Sequence, residues 1–250
     1  MSTLVPATMN LPRSAAGFHT THWTLVLEAR DQNGTQAEEA LARLCSTYWY
    51  PLYAFIRRRG SSPEEAEDLT QGFFSHFLER KALARVQPAE GKFRSFLLAC
   101  LKNFLGKERE RAQAQRRGGG CRLASLDGEE AETRYAAELA HQLTPEVLFQ
   151  RRWALAVLAQ AMKALRQEYC AAGKGALFED LQGFLPGGAE GPSRQEIAAQ
   201  RGVSAGSIDV AIHRLRQRFG ARLREQVAET VSSEAEVDDE IRYLISSVRF

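Results

Sequence analysis

Four carboxylates fall within five residues, at Glu64, Glu65, Glu67 and Asp68. Three chemistries are open to such a group. Acids in the first turn of a helix gain about 0.3–1 kcal/mol each from its dipole, with no partner needed. The same acids could form a docking face for a cationic protein surface. They could also serve as metal ligands or as an acid/base pair, although no histidine adjoins them and no second carboxylate motif accompanies them.

A second group begins at Gly91-Lys92-Phe93-Arg94-Ser95-Phe96-Leu97. It turns basic further on, through Lys102, Lys107, Arg109, Arg111, Arg116 and Arg117, opposed by Glu108 and Glu110. Cations interleaved with rings suit single-stranded nucleic acid, because the cations neutralise phosphates and the rings stack on unpaired bases. The other reading is that the phenylalanines are core. Phe104 fits the core better, whereas both readings stay open for Phe93 and Phe96.

The third group is Ser193-Arg194-Gln195-Glu196, a capping box in sequence, followed by Gly202 where a tight turn between helices needs a left-handed residue. Val203 is expected to plug the angle and Ser204 to cap the next helix. There Ile208, Ile212, Leu215 and Phe219 make one buried stripe. The opposite face carries Ser207, Asp209, Val210, His213, Arg214, Gln217 and Arg218. Between Ser204 and Arg224 five arginines face one aspartate. This pattern fits a recognition helix in a DNA major groove. An ordinary helical hairpin with a solvated cationic face is the plainer alternative, and the capping box, turn glycine and arginines together favour DNA.

The elements that carry these groups read as helix almost throughout. A short helix is expected at 23–30. A longer one follows, with Ala37, Leu41, Leu44, Tyr48, Leu52 and Phe55 at helical spacing and a kink or break at Pro51. Ser62, Pro63 and Glu65 open the acidic helix as N-cap, first residue and capping-box partner. The loop 87–92 leads into the basic-aromatic helix from Phe93. Gly118-Gly119-Gly120 ends helix potential there. Thr144 and Pro145 start a helix reaching about Tyr169, a short helix is expected at 177–185, and a Gly/Pro loop at 186–192. The fold class is therefore all-α: two small helical domains joined by a flexible linker, the C-terminal one a helix-turn-helix. The divisions are a disordered leader at 1–19, a helical domain at 20–117, the linker at 118–143, the helix-turn-helix domain at 144–231 and a tail at 232–250. That tail is acidic first and then apolar, with a stripe at 241–248 that docks on the second domain or binds a regulator.

Of the 250 residues, 44% are hydrophobic and 26% charged, an ordinary globular mixture, and the net charge is only +2. Charge clustering, not bulk charge, must carry any nucleic-acid argument. Residues 1–17 lack the apolar core of a signal peptide, and no stretch reaches membrane-span length, so a cytoplasmic location and no membrane partner are expected. Cys45, Cys100, Cys121 and Cys170 are far apart and read as plain thiols. No phosphate-binding glycine loop, HExxH or nucleophile motif is present. No cofactor, metal or catalytic residue is expected.

In order, "EEAEDLTQGFF", "KFRSFLLACLKNFL", a linker and "SRQEIAAQRGVSAGSIDVAIHRLRQRF" resemble a bacterial RNA polymerase sigma factor of the extracytoplasmic-function group. Outlying segments "YWYPLYAFIRRRG" and "AQRRGGG" resemble one subgroup, as does the C-terminal "AETV…EVDDEIRYLI". The resemblance covers 20–117 and 144–231. It implies a non-catalytic subunit that binds core RNA polymerase, at the beta-prime clamp helices and beta flap, and promoter DNA in duplex and single-stranded form. Glu64, Glu65, Glu67, Asp68, Gln71 and Phe74 would contact polymerase. Lys92, Phe93, Arg94, Phe96, Lys102, Asn103 and Arg109, with the loop 87–92, would capture the melted minus-ten strand. Ser204, Ser207, Asp209, Val210, His213, Arg214, Gln217 and Arg218 would read the minus-thirty-five element. An anti-sigma factor or other regulator is a further partner the family allows. Thr70, beside the docking carboxylates, is a candidate phosphorylation site.

Several positions depart from the family. Phe96 stands where tryptophan is usual, Lys107 where aspartate is common, and Asp209 where lysine is frequent. Asp209 could accept a hydrogen bond from a cytosine amine. The segment 185–192 is longer than usual. The residues also leave two rivals: a stand-alone helix-turn-helix regulator of transcription, and a metal-dependent nuclease built on 64–68.

Overall fold

The computed structural model describes residues 35–78, 92–115, 131–133, 135, 143–186, 191–228, 230, 231 and 233–248. The expected leader, the 23–30 helix, Cys121 and residues 87–91 lie outside them, as does most of the 118–143 linker. Among the described residues every regular element is helical. No helix there is long and apolar enough to cross a membrane.

Helix α1, Thr35–Arg58, runs through Pro51 without a break. Proline costs about 3 kcal/mol in a helix interior. Leu52, Phe55 and Ile56 immediately beyond it are fully buried, and each such side chain is stabilised by about 1.5–3 kcal/mol on burial. Packing therefore outweighs the lost hydrogen bond. Helix α2, Pro63–Leu78, starts with the expected capping box: the Glu65 amide donates to Ser62 Oγ at 3.2 Å, and the Ser62 amide donates to Glu65 Oε2 at 3.0 Å. Helix α3 is Phe93–Gln115. Helix α4, Pro145–Ala171, is capped by Thr144, whose side chain accepts from the Val147 amide.

The expected short helix is α5, Gly175–Leu181, with one 3-10 turn at Gln182–Phe184. Helices α6, Arg194–Arg201, and α7, Ala205–Ala228, follow. A 3-10 turn at Glu234–Glu236 leads into α8, Val237–Val248.

Helix α4 is the hub. It packs along α1 in the most extensive helix–helix contact and also touches α5, α7 and α8. Leu148, Phe149, Trp153, Ala154, Val157, Ala161, Leu165 and Tyr169 form its buried face. Helix α2 lies against both α1 and α3, and α6 lies against α7. The buried side chains of the two blocks 20–117 and 144–231 belong to one continuous cluster.

Part of the connector is docked on α1. Arg57 grips Glu132 with two hydrogen bonds, Nε to Oε2 at 2.8 Å and Nη2 to Oε1 at 2.6 Å. Tyr53 donates to the same carboxylate at 2.7 Å.

Candidate nucleic-acid interface

The α6–α7 unit is built by local chemistry. Ser193 and Glu196 form the full capping box at the start of α6. Gly202 ends it at φ 63°, left-handed. The Gly202 amide donates to the Ala199 carbonyl and the Val203 amide to the Ala198 carbonyl, a Schellman closure. Those bonds fix the turn without help from the Val203 side chain, which is 45% exposed and does not plug the angle. Ser204 caps α7, accepting from the Ser207 amide at 3.2 Å.

Ile208, Ile212, Leu215 and Phe219 are buried as expected, and Leu223 and Val227 extend their stripe. The whole face predicted to read duplex DNA (Ser204, Ser207, Asp209, Val210, His213, Arg214, Gln217, Arg218) is exposed. Its charges are not all idle. Asp209 pairs with Arg194 at 3.3 Å. Arg218 and Arg222 both hold Glu168 of α4, Arg222 at 2.9 Å. These arginines, Arg222 foremost, hold the Glu168 carboxyl below its ordinary value.

The residues expected on polymerase lie on α2. Glu64, Glu65, Asp68 and Gln71 are exposed. Glu67 and Phe74 are buried, at 6% and 7% exposure, so they support the face from beneath. Thr70 is fully buried and donates to the Ala66 carbonyl at 2.6 Å. That packing removes it from the reach of a kinase. A groove of about 360 Å³ runs beside this face, with Ile56, Leu69 and Leu105 among its apolar lining and Glu65, Asp68 and Arg109 among its charged lining. Arg109, expected on the melted strand, thus shares a groove with the docking carboxylates.

The remaining minus-ten residues separate by burial. Lys102 and Asn103 are exposed, and Lys102 pairs with Glu146 at 2.8 Å. Phe93 is fully buried against Tyr48 and Phe77, which settles it as core. Phe96 is half-buried, its ring near Phe77 and Phe93.

Arg94 is 3% exposed and forms an ion pair with Glu240 of α8. Its Nε donates to Gln150 Oε1 at 2.7 Å. The guanidinium lies 4.5 Å from the Trp153 ring centroid and 4.4 Å from that of Tyr243. Burial lowers it from its ordinary value. Lys92 joins the same carboxylate at 2.6 Å and lies 5.3 Å from the Tyr243 ring. Its ammonium is also lowered, first by burial and then by the neighbouring Arg94 charge.

Sequence reasoning missed Glu240, Tyr243, Gln150 and Trp153 as the partners of Lys92 and Arg94. A signal existed for Glu240: it is an acid set inside the apolar stripe Val237, Ile241, Leu244 and Val248. Among the described residues no group of three or more His, Cys, Asp or Glu could hold a metal ion. No protein-family model, curated protein or solved structure matches this chain.

Proposed function

We propose that this chain is a sigma-type transcription initiation factor: a helical, non-catalytic subunit that brings core RNA polymerase to promoter DNA. The observation that carries the reading is the α6–turn–α7 unit, with its capped first helix, left-handed glycine and exposed polar, arginine-bearing face. In this reading α7 lies in the major groove, Ser207, Val210 and His213 approach base edges, and Arg214 and Arg218 approach phosphates. The exposed carboxylates of α2 dock the polymerase. The first block contributes differential binding. It holds separated bases better than duplex, at about 1–3 kcal/mol per stacked base, which offsets an unstacking cost of a few kcal/mol.

Co-purification with core polymerase, followed by run-off transcription on genomic fragments, tests this. The sharper variant is Glu64→Lys with Asp68→Lys. Both side chains are exposed, so their reversal leaves the core intact, whereas a cation placed at buried Glu67 would not. Reversed charge on a complementary interface costs several kcal/mol, and polymerase capture should be lost. Unchanged capture removes α2 from the docking role.

A stand-alone duplex-binding regulator is the second reading. The engagement of Phe93 and Arg94 inside the protein favours it, because those groups are not presented to a single strand. Duplex binding that persists while core polymerase is never captured would select it.

A further inference from the structure

We propose that α8 is a built-in competitor for single-stranded nucleic acid, in which Glu240 takes the place of a backbone phosphate between Lys92 and Arg94. This rests on the reading of the first block given above and names how that site is regulated.

The contact is made for an anion. Lys92 and Arg94 lie two residues apart at the start of α3, the end of a helix at which the dipole favours negative charge. The anion present is the Glu240 carboxylate, fully buried and paired with both cations. Tyr243, one turn later on α8, lays its ring against both cations, as a stacked base would. An acid and an aromatic three residues apart thus reproduce the two features of a single strand, phosphate and ring.

The rest of α8 packs on α4 and α7 through a short apolar stripe. Val237 and Leu244 are buried, but Tyr243 and Ile245 stay 38% and 41% exposed. Arg224 pairs with Asp238 at the surface, where such pairs contribute about 0–1 kcal/mol. The chain leading to α8 also touches α3 directly, through the Phe93 amide and the Thr230 carbonyl at 3.4 Å. A helix so placed can leave as a unit, and its departure uncovers two cations together. Once uncovered, both cations are open to solvent and free to take another anion, and nucleic-acid phosphate is one that such a cation pair favours.

The test is fluorescence anisotropy of a short fluorescein-labelled single-stranded DNA with the full chain at fixed salt. Glu240→Gln should bind about five- to thirtyfold tighter than the unaltered chain, the factor expected when the closed form loses about 1–2 kcal/mol of advantage. Tyr243→Ala, at a part-exposed position, should show the same direction and guards against a folding defect in the first variant. Adding Lys92→Gln to Glu240→Gln should erase the gain. Equal affinity of Glu240→Gln, Tyr243→Ala and the unaltered chain overturns the proposal, as does a gain that survives Lys92→Gln. Core-polymerase capture, measured on the same preparations, separates the failures. Capture retained with no gain in DNA binding sinks the competitor alone, and capture absent in every chain sinks the sigma-type reading.

Discussion

Arg214 differs from the other arginines of α7. Arg216 donates to the Phe184 carbonyl at 3.2 Å, Arg218 and Arg222 hold Glu168, and Arg224 holds Asp238. Arg214 is exposed, and no carboxylate of the described residues pairs with it. Among the described residues no carboxylate offsets its charge, so in the proposed reading it is the α7 arginine best placed to meet DNA. Arg214→Ala should weaken duplex binding by about 1–3 kcal/mol if it reads a base, with specificity relaxed at one position. If it touches phosphate alone, the log–log salt slope should fall by about one, uniformly across sequences. Arg218→Ala should cost less, since Glu168 already neutralises part of its charge. Anisotropy titrations at several salt concentrations check both, and an Arg214→Ala chain that binds like the parent removes this residue from the interface. A pH dependence follows from Glu132. Hydrogen bonds from Arg57, and then from Tyr53, hold its carboxyl below the ordinary 4.5. A depressed folded-state value means that the clasp stabilises the fold above about pH 4.5 and that this contribution is lost as pH falls through the lowered value. Glu132→Gln should cost about 1 kcal/mol at neutral pH, in keeping with a part-exposed pair. The gap between variant and parent should close in acid. Urea unfolding at pH 7 and pH 3 measures it, and a constant gap would contradict the assignment.

Helix ends were the most legible elements in the sequence because their chemistry is local. Ser62 with Glu65, Thr144 with Pro145, and Ser193 with Glu196 each act within four residues, and each caps the helix it predicted. The stripe Ile208, Ile212, Leu215 and Phe219 was legible for the same reason: helical period alone puts it on one face. The roles of Phe93 and Phe96 were not legible, since spacing tells which face a ring occupies but not which distant element covers it. Val203 was misread because the turn is closed by backbone bonds and leaves no gap for a side chain to fill. That closure makes a clean prediction. Gly202 has φ 63°, and a Cβ there would meet nothing within 4 Å. The cost of Gly202→Ala is therefore purely conformational, about 1–2 kcal/mol. Gly202→Asn should lose less, because asparagine tolerates the left-handed region. Both losses are read as a lower urea midpoint. Equal midpoints for glycine and alanine would mean that the turn relaxes out of the left-handed region at no cost.

At the scale of the molecule, the expected picture was two modules on a slack joint, and the sequence contained no clue to how their surfaces meet. Amphipathic periodicity marks α1 and α4 as each having an apolar face, yet says nothing of their facing one another. The structure packs them together, and α8 returns from the far end of the chain to sit on α4, α7 and the start of α3. Contacts from α1, α5, α7 and α8 converge on α4, so its core side chains are common property of both blocks. Leu165 is fully buried there. Leu165→Ala should cost about 2–5 kcal/mol, and the whole molecule should register it. Thermal unfolding followed by circular dichroism and by calorimetry should show one transition in the parent, with calorimetric and van't Hoff enthalpies equal. The variant should shift that single transition downward without splitting it. Two transitions in the parent, of which only the C-terminal one moves in Leu165→Ala, would show that the blocks fold independently and that the α1–α4 contact is too weak to join them.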